Sequence, residues 1–356
     1  MTDSAQTNSN LLPAGAWLND PRTEPSVSVV IPMYNEKRYI ANCIDSVLNQ
    51  DYPLDKLEIH VVDSSSTDGS EAVVRERYLA AGAPVLLHKN TQRKTSQSLN
   101  IGLKAATGDI IIILGAHAEM EPGFIRYNVE NLRRTDVHCS GGTVKNVGQT
   151  VLQNSIGAAM SHPFATAAAY RFQRRSGPQK TVVYGAYRRE VFTKVGAFEE
   201  AGAVPDDAEL NCRLLQAGLQ IYYDPRIVSR YHPRSTFRAL ALQMFGYGYF
   251  RNQMFRKHYQ SSSISWFHLV PPVSLVLFAG LALAAGFYPP VRPGLTALAA
   301  LYGLLLILFS VQASLRQRQG NPLLIAGAFV TTHVAWGLGF MRGLLQSRTR
   351  FTEYVN

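Results

Sequence analysis

From about residue 27 to residue 225, short apolar runs rich in β-branched residues alternate with amphipathic stretches. Residues 27–31 (Val-Ser-Val-Val-Ile) run into Pro32 and predict a strand. Residues 37–50 place Ile40, Ile44, Val47 and Leu48 at helical spacing. Residues 57–62 predict a second strand that closes on Asp63. Residues 71–81 predict a helix, 85–88 a third strand, and 95–106 a helix carrying Leu99, Ile101 and Leu103. Residues 110–114 are almost continuously apolar, as expected of a strand covered on both faces. Strand and helix in alternation predict a doubly wound α/β sheet, which offers its ligand site at the carboxyl ends of the strands.

Past Asp224 the pattern changes. Arg226, Arg230, Arg234, Arg238, Arg251, Arg256 and Lys257 are interleaved with Phe237, Met244, Phe245, Tyr247, Tyr249, Phe250 and Phe255, with no acidic residue among them. A helix of cations and aromatics suits a lipid headgroup surface. Residues 264–287, 294–311 and 322–345 are then apolar over roughly the ~20 residues that a bilayer core requires. Arg316 and Arg318 in one loop, and Arg342, Arg348 and Arg350 in the tail, both belong on the cytoplasmic side by the positive-inside tendency. One crossing cannot leave both there. Either 322–345 is re-entrant, helped by Gly327, Gly337, Gly339 and Gly343, or the charge tendency is violated. Four regions result: a flexible, polar arm over 1–24, an α/β domain over 25–225, basic interface helices over 226–262, and a membrane region over 263–347. The arm has no secretory-signal pattern and is pinned by Leu11, Leu12 and Trp17.

Composition narrows the function. Hydrophobic content of 46% with 17% charged residues excludes a disordered chain. The 3 cysteines, Cys43, Cys139 and Cys212, exclude a disulfide scaffold, and their odd number and scatter argue against a zinc site. A net charge of +10 implies an anionic partner. Apolar segments directly behind the basic stretch turn that expectation toward membrane lipids and pyrophosphate, and away from nucleic acid.

The candidate chemistry sits at predicted strand ends. Tyr34 and Glu36 follow Pro32, and Asp63 with Ser64, Ser65, Ser66 and Asp68 follows the second strand. A carboxylate at a strand tip, such as Asp63, can accept a hydrogen bond from a nucleotide base, whereas Asp68 suits a helix cap. Asp206, Asp207 and Glu209 crowd three carboxylates into four positions at the head of an apolar helix through Leu210, Leu214 and Leu215. Their repulsion favours retention of one proton, which the helix N-terminus partly offsets.

These motifs, in order, resemble the catalytic domain of family 2 glycosyltransferases with the GT-A fold, in the succinoglycan-type glucosyltransferase branch. The resemblance covers 27–215 through Val-Ile-Pro-Met-Tyr-Asn-Glu, Val-Asp-Ser-Ser-Ser-Thr-Asp-Gly-Ser, Leu99-Asn100-Ile101-Gly102-Leu103 before Ala106-Thr107-Gly108-Asp109, and Asp206-Asp207-Ala208-Glu209-Leu210-Asn211-Cys212-Arg213. It implies a mixed sheet, a nucleoside diphosphate sugar (usually a UDP sugar), inversion at the transferred carbon, and Asp207 as catalytic base. The nucleotide would be held by Pro32, Tyr34, Glu36, Asp63, Ser65, Lys94 and Ala116. The acceptor side would use Asp206, Glu209, Arg188, Arg189, Gln243 and Arg251, with Arg93, Lys94, Arg188 or Arg189 also able to carry phosphate charge. The family's Asp-x-Asp, which holds Mg²⁺ or Mn²⁺, reads Gly115-Ala116-His117 here, so the first carboxylate is missing and the metal site would fall to His117 with Glu119, or with Glu121 in its place. The Gln-x-x-Arg-Trp of processive synthases is absent after Gln243, which implies one transfer per acceptor. The acceptor implied is a polyprenyl-pyrophosphate-linked saccharide at the cytoplasmic face of a bacterial inner membrane. Direct transfer to polyprenyl phosphate, and a nucleotide-sugar-binding subunit without turnover, stand as alternatives.

Overall fold

The computed structural model describes residues 16–20, 22–165, 173–200, 206–257 and 266–345. A short helix, α1 (Ala16–Asn19), precedes the sheet; Trp17 is buried there, and the Arg133 guanidinium lies over its ring. Leu11 and Leu12 fall outside the described residues. The first half runs β1 (Val27–Met33), α2 (Ile40–Leu48), β2 (Leu57–Asp63), α3 (Ser70–Val74), β3 (Val85–Lys89), α4 (Thr95–Ala105) and β4 (Ile110–Ile113). α3 continues as a π-helical turn over Arg75–Leu79, so the helix expected over 71–81 is present with a changed hydrogen-bond pattern. The second half runs β5 (Ala118–Met120), α5 (Phe124–Leu132), β6 (Cys139–Asn146), α6 (Val151–Met160), β7 (Gly177–Gln179), β8 (Ala186–Arg188), α7 (Arg189–Val195), α8 (Asp206–Gln216) and β9 (Ile221–Tyr231).

The strands join in one nine-stranded sheet of order β3-β2-β1-β4-β8-β6-β9-β5, with β7 also on β9. β3, β2, β1 and β4 are mutually parallel, whereas β8 runs antiparallel to both β4 and β6. This is the curled mixed sheet that the GT-A expectation named. Successive strand residues point to opposite faces, and both faces are covered. Val27, Val29, Ile31, Ile110 and Ile112 belong to the core beneath α2 and α5, while Val30 and Ile111 belong to the core beneath α4, α7 and α8. That double burial is why β4 reads Ile-Ile-Ile-Ile. In β9 the register slips between Gly142 and Thr143 of its partner β6. A Cβ on Gly142 would lie 2.1 Å from the Ile227 carbonyl oxygen, so only glycine admits the bulge. β9 thereby carries Tyr231 and the following His232 to the rim of the sheet.

After β9 come α9 (Phe237–Lys257), α10 (Val270–Phe287), α11 (Arg292–Gln317) and α12 (Pro322–Leu345). Three segments, Phe267–Phe287, Pro289–Gln317 and Pro322–Leu345, are long and apolar enough to cross a membrane, with mean hydropathies of 2.0, 2.2 and 1.6. α10 and α11 form an antiparallel hairpin: Phe278 packs against Tyr302, and Arg292 donates to the Ala285 carbonyl.

α12 behaves differently. Its most apolar window is 44% buried within the protein, against 11% and 6% for the other two. It lies alongside α9, and the two chains run in the same direction: Gly327 meets Phe237, Gly339 meets the Phe245 backbone, Gly343 meets Asn252, and Arg256 donates to the Leu344 carbonyl. A Cβ on Gly248 would sit 2.0 Å from the Trp336 oxygen, and one on Gly339 2.0 Å from the Phe245 oxygen. The glycines of 322–345 are thus sites of close helix packing, and the helix they belong to is unbroken.

Candidate active site

Three loops rise from the carboxyl ends of β1, β2 and β3, and each contains a non-glycine residue with positive φ: Asn35 (54°), Ser65 (63°) and Arg93 (50°). Such backbone persists only where its surroundings hold it, and it concentrates at functional sites. The restraints are visible. Asn35 Oδ1 accepts the Thr67 N–H at 2.8 Å, Asp68 accepts the Lys37 and Ser70 N–H groups, and Ser70 Oγ accepts the Glu36 N–H at 2.8 Å. Asp68 therefore acts as the expected turn and cap residue.

Asp63, buried at the tip of β2, accepts the Ser66 N–H, and its carbonyl accepts the Asn90 N–H. Ser64 Oγ lies 2.8 Å from Ser98 Oγ, which Asn90 Nδ2 also reaches, while Ser65 Oγ donates to the Asn90 carbonyl. Lys94 precedes α4 and supplies the carbonyl that accepts from Asn90. Arg93 lies over the exposed Tyr34 ring, 5.3 Å from its centroid. Pro32 is paired with Val62 one step below the tips. Ala116 is buried and belongs to the core packed under α2.

His117 follows β4 and precedes β5, and its Nδ1 lies 2.8 Å from Glu36 Oε1. Sequence positions 81 residues apart thus form a carboxylate–imidazole pair at the tips of adjacent strands. With Nδ1 engaged, Nε2 is the nitrogen left for a ligand, and the side chain is 27% exposed. Glu119 lies in β5, two residues past the turn that holds His117, but its Oε1 is 3.1 Å from His232 Nε2, and His232 Nδ1 lies 3.0 Å from the Val147 carbonyl. Tyr39 stacks on the His232 ring.

Gly115 has no carboxylate, and the space beside it is filled. A Cβ there would lie 3.2 Å from Tyr184 Cε1 and 3.4 Å from its hydroxyl. Tyr184 is itself a left-handed residue, with φ of 52°. Beneath, Cys43 Sγ donates to the Gly115 carbonyl; burial first, and then the charges of Glu36 and Glu119, push its thiol far up, so this cysteine stays protonated. Among the described residues no three His, Cys, Asp or Glu side chains converge as a self-sufficient metal cage. An ion held here would take an imidazole nitrogen and complete its shell with other oxygens. That donor set suits Mn²⁺ better than Mg²⁺.

α8 contributes Asp207, a half-buried carboxylate that accepts the Ala208 N–H at 2.8 Å. Burial is the largest influence and raises its pKa above the ordinary 3.8; the backbone hydrogen bonds and the charge of Arg251 act in the opposite sense. One turn later Asn211 accepts the Tyr187 hydroxyl, whose ring leans toward Gly185, next to Tyr184. Glu209 is buried and clasped by Arg213, which also holds the Val195 and Ala197 carbonyls, so the pair fastens α8 to α7. Asp206 opens α8, but its side chain lies outside the described residues.

α9 closes the arrangement from below. Gln243 Nε2 donates to the hydroxyls of Tyr231, at 3.1 Å, and Tyr247, at 3.2 Å, and the Tyr231 ring stands edge-on to His117. Two turns on, about 12 Å along the helix, Arg251 exerts its charge on Asp207. Sequence reasoning passed over Tyr231; the available signal was an aromatic at the carboxyl end of a long strand, directly before a histidine.

Two cations lie elsewhere. Arg188 is buried, with Nη2 donating to the Leu132 carbonyl at 2.7 Å and also to that of Arg134. Arg189 donates to the carbonyl of Gly108. Because β8 is antiparallel to β4, Arg188 pairs with Ile110, where β4 begins, so both arginines lie at the end of the sheet opposite the strand tips. They are structural ties and not acceptor or phosphate contacts.

Residues 28–196 match the family model described as Glycosyl transferase family 2. The chain carries a family 2 glycosyltransferase domain. Over 332 residues, 91% of this glycosyltransferase, it is 28% identical to a dolichyl N-acetyl-alpha-D-glucosaminyl phosphate 3-beta-D-2,3-diacetamido-2,3-dideoxy-beta-D-glucuronosyltransferase of Methanococcus voltae, 99% of which is covered. It is 29% identical to the succinoglycan biosynthesis protein ExoA of Rhizobium meliloti (strain 1021), with 93% of this chain and 99% of the relative aligned. Its fold is similar to that of the mannosyltransferase PcManGT from Pyrobaculum calidifontis, solved with GDP-Man and Mn²⁺, at a TM-score of 0.62 and 23% identity, covering 92% of this chain and 89% of the other.

Proposed function

We propose that this glycosyltransferase moves a sugar, with inversion, from a nucleoside diphosphate donor of the UDP class to a hydroxyl of a polyprenyl-pyrophosphate-linked saccharide at a membrane surface. The observation that carries the proposal is the His117–Glu36 pair at the strand tips, tied through Tyr231 and Gln243 to a helix whose Arg251 lends its charge to Asp207. The names of both full-length relatives support it, one a lipid-phosphate-linked sugar transferase and the other a polysaccharide biosynthesis protein.

In this reading Asp63 and the Ser64–Ser66 loop hold the base and ribose, and Tyr34 with Arg93 closes over them. His117 Nε2, oriented by Glu36, would hold Mn²⁺, which when bound supplies positive charge against the departing diphosphate. Asp207 takes the proton from the acceptor hydroxyl as that oxygen bonds to the anomeric carbon. The bond from this carbon to the diphosphate oxygen breaks on the opposite face, and the diphosphate leaves with the electron pair. The protein reconstituted in bilayers with UDP-glucose, a polyprenyl-pyrophosphate disaccharide and Mn²⁺ is expected to yield a lipid-linked trisaccharide of inverted configuration. Donor binding without transfer from any nucleotide sugar tried would overturn the enzyme reading in favour of a binding subunit. Transfer to bare polyprenyl phosphate alone would replace the acceptor.

The same reading gives the protein two membrane crossings. α9 carries Gln243, Arg251 and Asn252 and contacts the catalytic domain, so it lies at the surface, and α12 runs beside it in the same direction. Only α10 and α11 then cross, and the catalytic domain, the Arg316–Arg318 loop and the tail share the cytoplasmic side, as the charge tendency asks. A reporter fused after Leu345 is expected to be active only as a cytoplasmic fusion, and one inserted at Pro289 only as an exported fusion. Export of the Leu345 reporter would refute this topology.

A further inference from the structure

Between α9 and α12 runs an open groove of about 490 Å³ lined by Arg238, Leu242 and Phe245 on one side and by Val330, Val334 and Leu338 on the other. Its walls are apolar, and its cation stands at one end. Leu242, Val330, Val334 and Leu338 are exposed to the surroundings. The residues on α9 recur at i, i+4 and i+7 and form one stripe. Gln243, Tyr247 and Arg251, at i, i+4 and i+8, form another that faces the catalytic residues. One helix therefore separates the groove from the site, and Arg238 and Gln243 are about 7 Å apart along its axis.

The charge at the groove's end is uncompensated. No Asp or Glu occurs between Asp224 and Glu353. Arg226 and Arg230 are neutralised by Asp224 and Glu121, whereas neither Arg234 nor Arg238 has a carboxylate partner among the described residues. A slot of apolar walls, with two unpaired guanidinium groups at the end of the helix nearest β9, matches a molecule with a long hydrocarbon tail and a phosphorylated head.

We infer that this groove binds the first isoprenoid units of the polyprenyl-pyrophosphate-linked acceptor, with its phosphates at Arg238 and Arg234 and its saccharide directed around α9 toward Asp207. The inference rests on the lipid-linked acceptor proposed above and adds where the tail lies. A polyprenyl phosphate bearing a diazirine in its first isoprene unit tests it without any need for turnover. Irradiated with the full-length protein in phosphatidylcholine nanodiscs, it is expected to label residues 238–245 and 330–338, and unlabelled polyprenyl phosphate is expected to compete. Labelling confined to α10 and α11, or labelling at the groove that polyprenyl phosphate does not displace, would overturn the inference; the second result would make the groove a site for bulk bilayer lipid. In transfer assays Val334→Trp should lower kcat/KM for a long-tail acceptor relative to a short-tail one by about tenfold. An unchanged ratio would also overturn it, whereas absence of transfer to every acceptor with groove labelling intact would count against the proposed reaction and leave the groove standing.

Discussion

Asp207→Asn is expected to lower kcat by about 10²- to 10⁴-fold, the range that a positioned general base contributes, while donor affinity stays within twofold of the parent. Asparagine keeps the shape and the helix-end hydrogen bond but cannot take a proton. The variant should fold well. Burial raises the Asp207 pKa in the folded protein above its ordinary value, so the residue favours folding at low pH, and that contribution is lost as pH rises through the raised value. A neutral amide removes this loss, and Asp207→Asn should melt no lower than the parent at pH 7. The same shift sets the pH profile. A base must be deprotonated, so the acid limb of kcat/KM should fall through a pKa above 3.8 and disappear in the variant. Arg251→Ala removes a charge that lowers the Asp207 pKa and should move the limb to higher pH. Transfer by Asp207→Asn at the parent rate would eliminate the assignment.

His117→Ala is the second large effect. If Nε2 holds the ion, its loss should abolish the stimulation by Mn²⁺ and raise the donor KM. Glu36→Gln, which keeps the imidazole but weakens its orientation, should cost about 10- to 100-fold in metal affinity. Titration calorimetry of UDP with and without Mn²⁺ separates the cases. Metal-enhanced binding in the parent, absent in His117→Ala and weakened in Glu36→Gln, is the expected series. Equal enhancement in all three proteins would show that the ion does not use this histidine.

The parallel half of the sheet could be read from the chain because each of its strands is four to seven residues long and three of them, β1, β2 and β4, are buried almost continuously, which writes them as unbroken apolar runs. The mixed half could not. β5, β7 and β8 have three residues each, too few to show a period, and Pro225 interrupts the pattern of β9. That gap explains the misplacement of Arg188 and Arg189. Their position relative to the site depends on whether β8 runs with or against β4, and local sequence does not encode strand direction. Asp63, Glu36 and His117 were legible because strand ends and motif order announced them. The His117–Glu36 hydrogen bond and the tyrosine in the missing carboxylate's place depend on chain segments about 70 or more residues apart, so they emerged only once the strands were assembled.

The glycine-tight seam between α9 and α12 also has a mechanical consequence. On the proposed reaction and topology, the helix beneath Asp207 is held side by side with one lying along the bilayer surface, which leaves the reaction centre no slack in its height above the lipid. Such an enzyme would act as a ruler: the acceptor sugar within reach would be fixed by its distance from the anchoring phosphate, and chains longer or shorter by a unit would present their hydroxyl at the wrong level.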